Sequence, residues 1–153
     1  MIQTSFALMR QTRTNFLQMV HPLSIDQLNR IPPGFGNNLV WNFGHMVVTL
    51  PLLTYGLSGL PIPLDEGMVG MYRRGSSPEG PVSREHWEHL QLLSEESLAG
   101  VQADYEAGVF QAYQPYTTTY GARLQSVDDA IRFAPVHEGL HLGYAMAMVK
   151  SIG

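Results

Sequence analysis

The chain carries six histidines, His21, His45, His86, His89, His137 and His141, and no cysteine. Without thiols there are no disulfides and no cysteine nucleophile, so a metal must be held by nitrogen and oxygen. His137 and His141 stand four residues apart in a segment that reads as helix. That spacing puts both imidazoles on one face, a turn apart, within reach of one ion. A pair alone makes a borderline site that needs a third ligand. The run His137-Glu138-Gly139-Leu140-His141 matches the HExxH pattern of zinc proteases. Those enzymes take their third ligand downstream, and no His, Asp or Glu follows His141. The third ligand must therefore lie upstream. His45 is the best candidate, since it sits in a strongly apolar helical run where an uncompensated polar group is costly. The alternative is that it bonds a core carbonyl.

His86 and His89 lie beside Glu85 and Glu88 at a helix start and read as surface residues, and His21 before Pro22 reads as a helix end. Glu138 is the one catalytic candidate next to the ligands. On a helix it points about 100° away from His137, so it is expected to support a ligand or lie on the surface rather than act as a base. Tyr72, Arg73 and Arg74, in an irregular segment, are candidates to hold an anionic group over the site; the alternative is a solvated loop tip.

Four long helical segments must position these groups. The first runs from about Thr4 to Val20, with Phe6, Met9, Phe16, Leu17 and Val20 at helical spacing and Arg13 as the one polar exception. A short helix, Ser24 to Arg30, follows, with Ser24 as its cap and Gln27 three residues on. The second long helix starts near Asn37 or Asn38, is apolar almost all round through His45, and contains Pro51, which should kink or end it. The segment 59–82 is rich in proline and glycine and reads as a long irregular loop. The third long helix spans about Ser83 to Glu106. Val109 to Thr119 is β-prone, yet no second strand is evident to pair with it, so an irregular connection is expected. The last helix begins after Ser126, and Pro135 should kink it just before His137.

The totals fit this picture. A chain of 153 residues with 44% hydrophobic content suits one globular domain over 1–153. Nine basic and thirteen acidic residues give a net charge of -4, which offers nucleic acid no basic face. No membrane-spanning run and no signal peptide are evident, so a cytoplasmic location is expected. Only 14% of residues are charged. That low fraction, with surplus apolar groups on the first and third helices, points to a homodimer.

Trp41-Asn42-Phe43-Gly44-His45, followed by Arg132-Phe133-Ala134-Pro135-Val136-His137-Glu138-Gly139-Leu140-His141-Leu142-Gly143, resembles the DinB-like superfamily, which includes thiol S-transferases and mycothiol-dependent isomerases. The resemblance spans nearly the whole chain. It implies an all-α, up-down-down-up four-helix bundle, here with a short extra helix and a long loop. It also implies a metal site in which His45, His137 and His141 are the ligands. Tyr144 stands where many members carry glutamine, a position expected to contact substrate or a neighbouring helix.

Three imidazoles leave coordination positions open, as in catalytic rather than closed structural sites. Zinc and nickel both suit such ligands. The expectation is a metal-dependent enzyme of the thiol S-transferase or hydrolase type acting on a small molecule or thiol. The alternative is a non-catalytic metal-binding or stress-related helical dimer.

Overall fold

The computed structural model describes residues 2–152. Most of them lie in six α-helices: α1 (Ile2–Val20), α2 (Ile25–Asn29), α3 (Leu39–Thr54), α4 (Glu66–Tyr72), α5 (Arg84–Glu106) and α6 (Val127–Ile152). The long ones are α1, α3, α5 and α6. α1 packs on α6 and α5, and α3 packs on the same two helices. None of the helices is long and apolar enough to cross a membrane.

Local signals set the helix starts. Ser24 and Gln27 form a reciprocal capping box at α2. Asn38 caps α3 by accepting from the Trp41 amide, and Ser83 caps α5 by accepting from the His86 amide. Both internal prolines are tolerated: α3 continues past Pro51 to Thr54, and α6 runs unbroken through Pro135.

The segment 59–82 is more ordered than its composition suggests. Asp65 accepts from the Met68 amide and so caps α4, which Gly67 and Gly70 disguise in the sequence. The β-prone stretch also finds a partner. Tyr116–Thr117 pairs antiparallel with Arg123–Leu124, a strand too short to stand out by propensity.

The core divides into two apolar clusters. One gathers Phe16, Leu39, Phe43, Met46, Trp87, Leu90 and Met148. The other gathers Phe6, Met9, Leu50, Leu98, Val101, Ile131 and Ala134. Along α1, α5 and α6, the residues between the clusters are Arg13, Ser94 and Glu138, and all three are buried. Arg13 Nε lies 3.2 Å from both Glu138 oxygens, and Nη2 lies 2.6 Å from Oε1. Nη1 donates to the Ser94 carbonyl at 2.8 Å, and Nη2 reaches the Met46 carbonyl at 3.4 Å. One guanidinium on α1 thus ties α3, α5 and α6 together. This explains the polar exception in the α1 stripe, and it places Glu138 in the interior rather than on the surface.

Candidate metal centre

His45 stands in the middle of α3, and His137 and His141 lie a turn apart on α6, which packs against α3. The three rings converge. Their centroids are 5.0 Å apart for His45 and His137, 4.8 Å for His45 and His141, and 4.7 Å for His137 and His141. One ring nitrogen from each lies within 4.8 Å of the others, so the group can hold a metal ion.

Two of the rings are fixed by bonds at the nitrogen facing away. His45 Nδ1 donates to the Tyr72 carbonyl at 2.7 Å. His141 Nδ1 lies 2.9 Å from Asn42 Oδ1. The Asn42 amide nitrogen donates to Asn37 Oδ1 and the Asn38 carbonyl, both at 2.8 Å, so its oxygen is the acceptor that receives the His141 proton. Both imidazoles therefore present a bare Nε2. Partners of this kind orient metal-binding histidines and set their tautomer. His45 Nε2 lies 3.2 Å from His137 Nε2. That is less than twice a zinc–imidazole bond of about 2.0–2.1 Å, so one ion can touch both.

The support for His45 comes from an element the sequence leaves unread. α4 ends at Tyr72, whose ring lies flat against Gly44; a β-carbon there would run into it. This close approach delivers the Tyr72 carbonyl to His45. The Tyr72 hydroxyl, pushed up to about 12 by burial, stays protonated and shares a hydrogen bond of 2.7 Å with His86 Nε2. His86 thus belongs to the scaffold behind the site, whereas His89 and His21 are exposed. Trp41, one turn before His45, stacks on it with ring centroids 4.7 Å apart.

Electrostatics keep the rings neutral, the form that binds metal. Burial pushes His137 down to about 3, with further lowering by His141 and His45. Burial and His45 push His141 down to about 4. His45 is also lowered by burial, partly offset by its bond to the Tyr72 carbonyl. For Glu138, burial pushes the carboxyl up and the Arg13 guanidinium opposes that shift.

The histidines open onto a cavity of about 560 Å³. Thr49, Leu52, Leu53 and Leu57 form one wall; Tyr116, Thr118, Thr119 and Tyr120 form another; Phe133, Leu140 and Arg74 complete it. Of the substrate candidates, Arg74 lines this cavity. Tyr72 is buried behind His45, Arg73 lies outside the wall, and Tyr144 packs edge-on against Phe35 at 5.1 Å. Glu138, paired with Arg13, is absent from the wall. Asn42, three residues before His45 in an otherwise apolar run, is a functional residue beyond the sequence-predicted set, and its polarity in that run is a readable signal.

No curated protein matches the chain. A family model described as DinB superfamily matches residues 8–145, a span that contains all three histidines, Asn42 and the Arg13–Glu138 pair; the chain belongs to the DinB superfamily.

Proposed function

We propose that His45, His137 and His141 bind one divalent transition metal, zinc or nickel, and that the protein is a metal-dependent enzyme of the thiol S-transferase or hydrolase type. One observation carries this reading: two bare Nε2 atoms, pre-oriented by Tyr72 and Asn42, meet a third ring at the floor of an open cavity. A closed structural site would take a fourth protein ligand, and apart from the histidines and Arg74 the surrounding wall supplies only hydroxyls and apolar groups. A bound metal would act as a Lewis acid and lower the pKa of a thiol or water. The chain's own residues contribute orientation of the rings, a largely apolar wall that limits water, and hydroxyls from Thr49 and Tyr116. Glu138 takes no part as a base, because its oxygens are held by Arg13.

In this reading the four long helices form an up-down-down-up bundle with the site on the α3–α6 side. The reading also includes a homodimer, supported by a stripe of exposed apolar residues on α6 at one-turn spacing, Val136, Leu140 and Tyr144. The test is calorimetric titration of metal-free protein with zinc and with nickel. One ion per chain, lost in His45→Ala and in His141→Ala and kept in His89→Ala, supports the site. Equal binding by all four proteins refutes it.

A further inference from the structure

Arg74 is the one cationic side chain in the cavity wall, and no acidic side chain lines that wall. It makes no ion pair among the described residues, in a protein of net charge -4. Among the described residues its side chain has one polar contact, a long one of 3.5 Å from Nη1 to the Tyr116 hydroxyl, which also lines the cavity. A bond of that length is weak and easily exchanged for a better acceptor. The guanidinium is exposed, so its remaining donors face solvent and are free to take an anionic ligand.

Its mounting is fixed. The Ser76 amide donates to the Arg73 carbonyl at 3.1 Å and closes a turn around Arg74. The Ser76 hydroxyl lies 2.6 Å from the same carbonyl and 2.9 Å from that of Met71, and it accepts from Trp41 Nε1 at 3.0 Å. Trp41 is the residue stacked on His45. The same indole thus braces a histidine of the metal centre and the turn that carries Arg74.

Between Arg74 and the histidines the wall is mostly apolar, from Leu52, Leu53, Leu57, Phe133 and Leu140. We propose that Arg74 is the anion-binding residue of this cavity, and that the ligand is a small amphipathic monocarboxylate whose far end carries the group that meets the histidines. A guanidinium fork matches a carboxylate in shape and donor spacing. With no second cationic side chain in the wall, one negative charge is matched and a dianion is not. The apolar wall selects an aliphatic or aromatic body between the two ends. This inference rests on the metal-centre reading and deepens it.

The test uses cobalt-loaded protein, in which entry of a thiol is read by the charge-transfer absorption of a cobalt–thiolate. The probes are mercaptohexanoate and mercaptohexanol, with shorter and longer homologues of each. Wild type should bind the best-fitting mercaptocarboxylate about tenfold or more tighter than the alcohol of equal length, the effect of one charge-assisted hydrogen bond. Arg74→Met should lose that preference while binding cobalt and the mercaptoalcohol as before. Arg73→Met, which removes a nearby charge outside the wall, should keep it. Equal binding of the two probes by wild type, or a preference that survives Arg74→Met, overturns the proposal while leaving the metal centre standing. Failure of wild type to take up cobalt overturns the metal centre and this proposal with it.

Discussion

His137 and Glu138 are consecutive residues of α6, yet they serve opposite kinds of polar site. The turn of about 100° between them aims Glu138 into the interior and His137 at the cavity. In the buried latch every nitrogen of Arg13 finds an acceptor. Arg13 spends its guanidinium on Glu138, Ser94 and the Met46 carbonyl, and the pair is almost fully sequestered, with side chains 4% and 1% exposed. At the cavity the polar atoms are oriented toward one another: Tyr72 and Asn42 hold the outer nitrogens of His45 and His141, and the inner His45 nitrogen meets only His137 Nε2 at 3.2 Å and the Thr49 hydroxyl at 3.4 Å among the described residues. A saturated buried network holds helices in register. Three oriented imidazoles that face a cavity can hold a metal ion. The two are adjacent on the helices as well, since Met46 follows His45 just as Glu138 follows His137, so the latch sets the spacing between α3 and α6 that the metal centre needs.

This contrast makes separable demands. The largest effect belongs to the latch. Arg13→Ala strands a buried carboxylate and should cost about 3–5 kcal/mol in urea unfolding, as breaking a buried pair does. Replacing both partners, Arg13→Met with Glu138→Leu, should cost less than either single change and should keep metal binding. A double variant as unstable as the sum of the singles would show that the pair has no coupling.

Next comes the centre itself. His45→Ala should fold, because the apolar clusters do not depend on it. It should lose the metal-linked stabilisation, about 2.7 kcal/mol when free metal is one hundred times its dissociation constant. Melting curves with zinc and with chelator measure this, and a full zinc-dependent shift in the variant would contradict the assignment. Asn42→Ala should weaken metal binding by about 10–100-fold, the usual cost of removing the partner that orients a histidine ligand. Unchanged affinity there would mean that the His141 ring is held by packing alone.

The last effect is on acid stability without metal. Burial depresses His137 to about 3 and His141 to about 4, and lowers His45 as well, from an ordinary value of 6.5. Below that ordinary value the unfolded chain takes up protons that the folded chain refuses. Stability is therefore complete above about 6.5 and falls as the pH drops through the interval toward 4 and 3. His137→Phe should flatten this part of the profile in chelator. A profile identical to wild type would show that the ring does not titrate with unfolding.

Much of this architecture was visible in the residues. The i,i+4 pair on α6 and a lone histidine in an apolar run suffice to bring three imidazoles together, and Asn38, Ser24 and Ser83 mark helix starts by their chemistry. What stayed hidden depends on partners far along the chain. Arg13 stood out as polar in an apolar stripe, but nothing local says that its counter-ion is Glu138, over a hundred residues away. α4 was obscured by Gly67 and Gly70, so the Tyr72 carbonyl behind His45 went unread. His86 reads as a surface residue in the sequence because its bond to Tyr72 exists only once α4 has docked on Gly44. The paired strands at Tyr116 and Arg123 are too short to leave a pattern, although they put Tyr116 beside Arg74.

Whether one ion sits among these three nitrogens is decided by a crystal structure grown with zinc, through the anomalous signal at the metal edge. A single strong peak is expected at about 2.0–2.1 Å from Nε2 of His45, His137 and His141, with the His45–Tyr72 and His141–Asn42 hydrogen bonds intact. A peak at His86 and His89 with none among these three rings, or a peak that leaves His45 outside bonding distance, would contradict it.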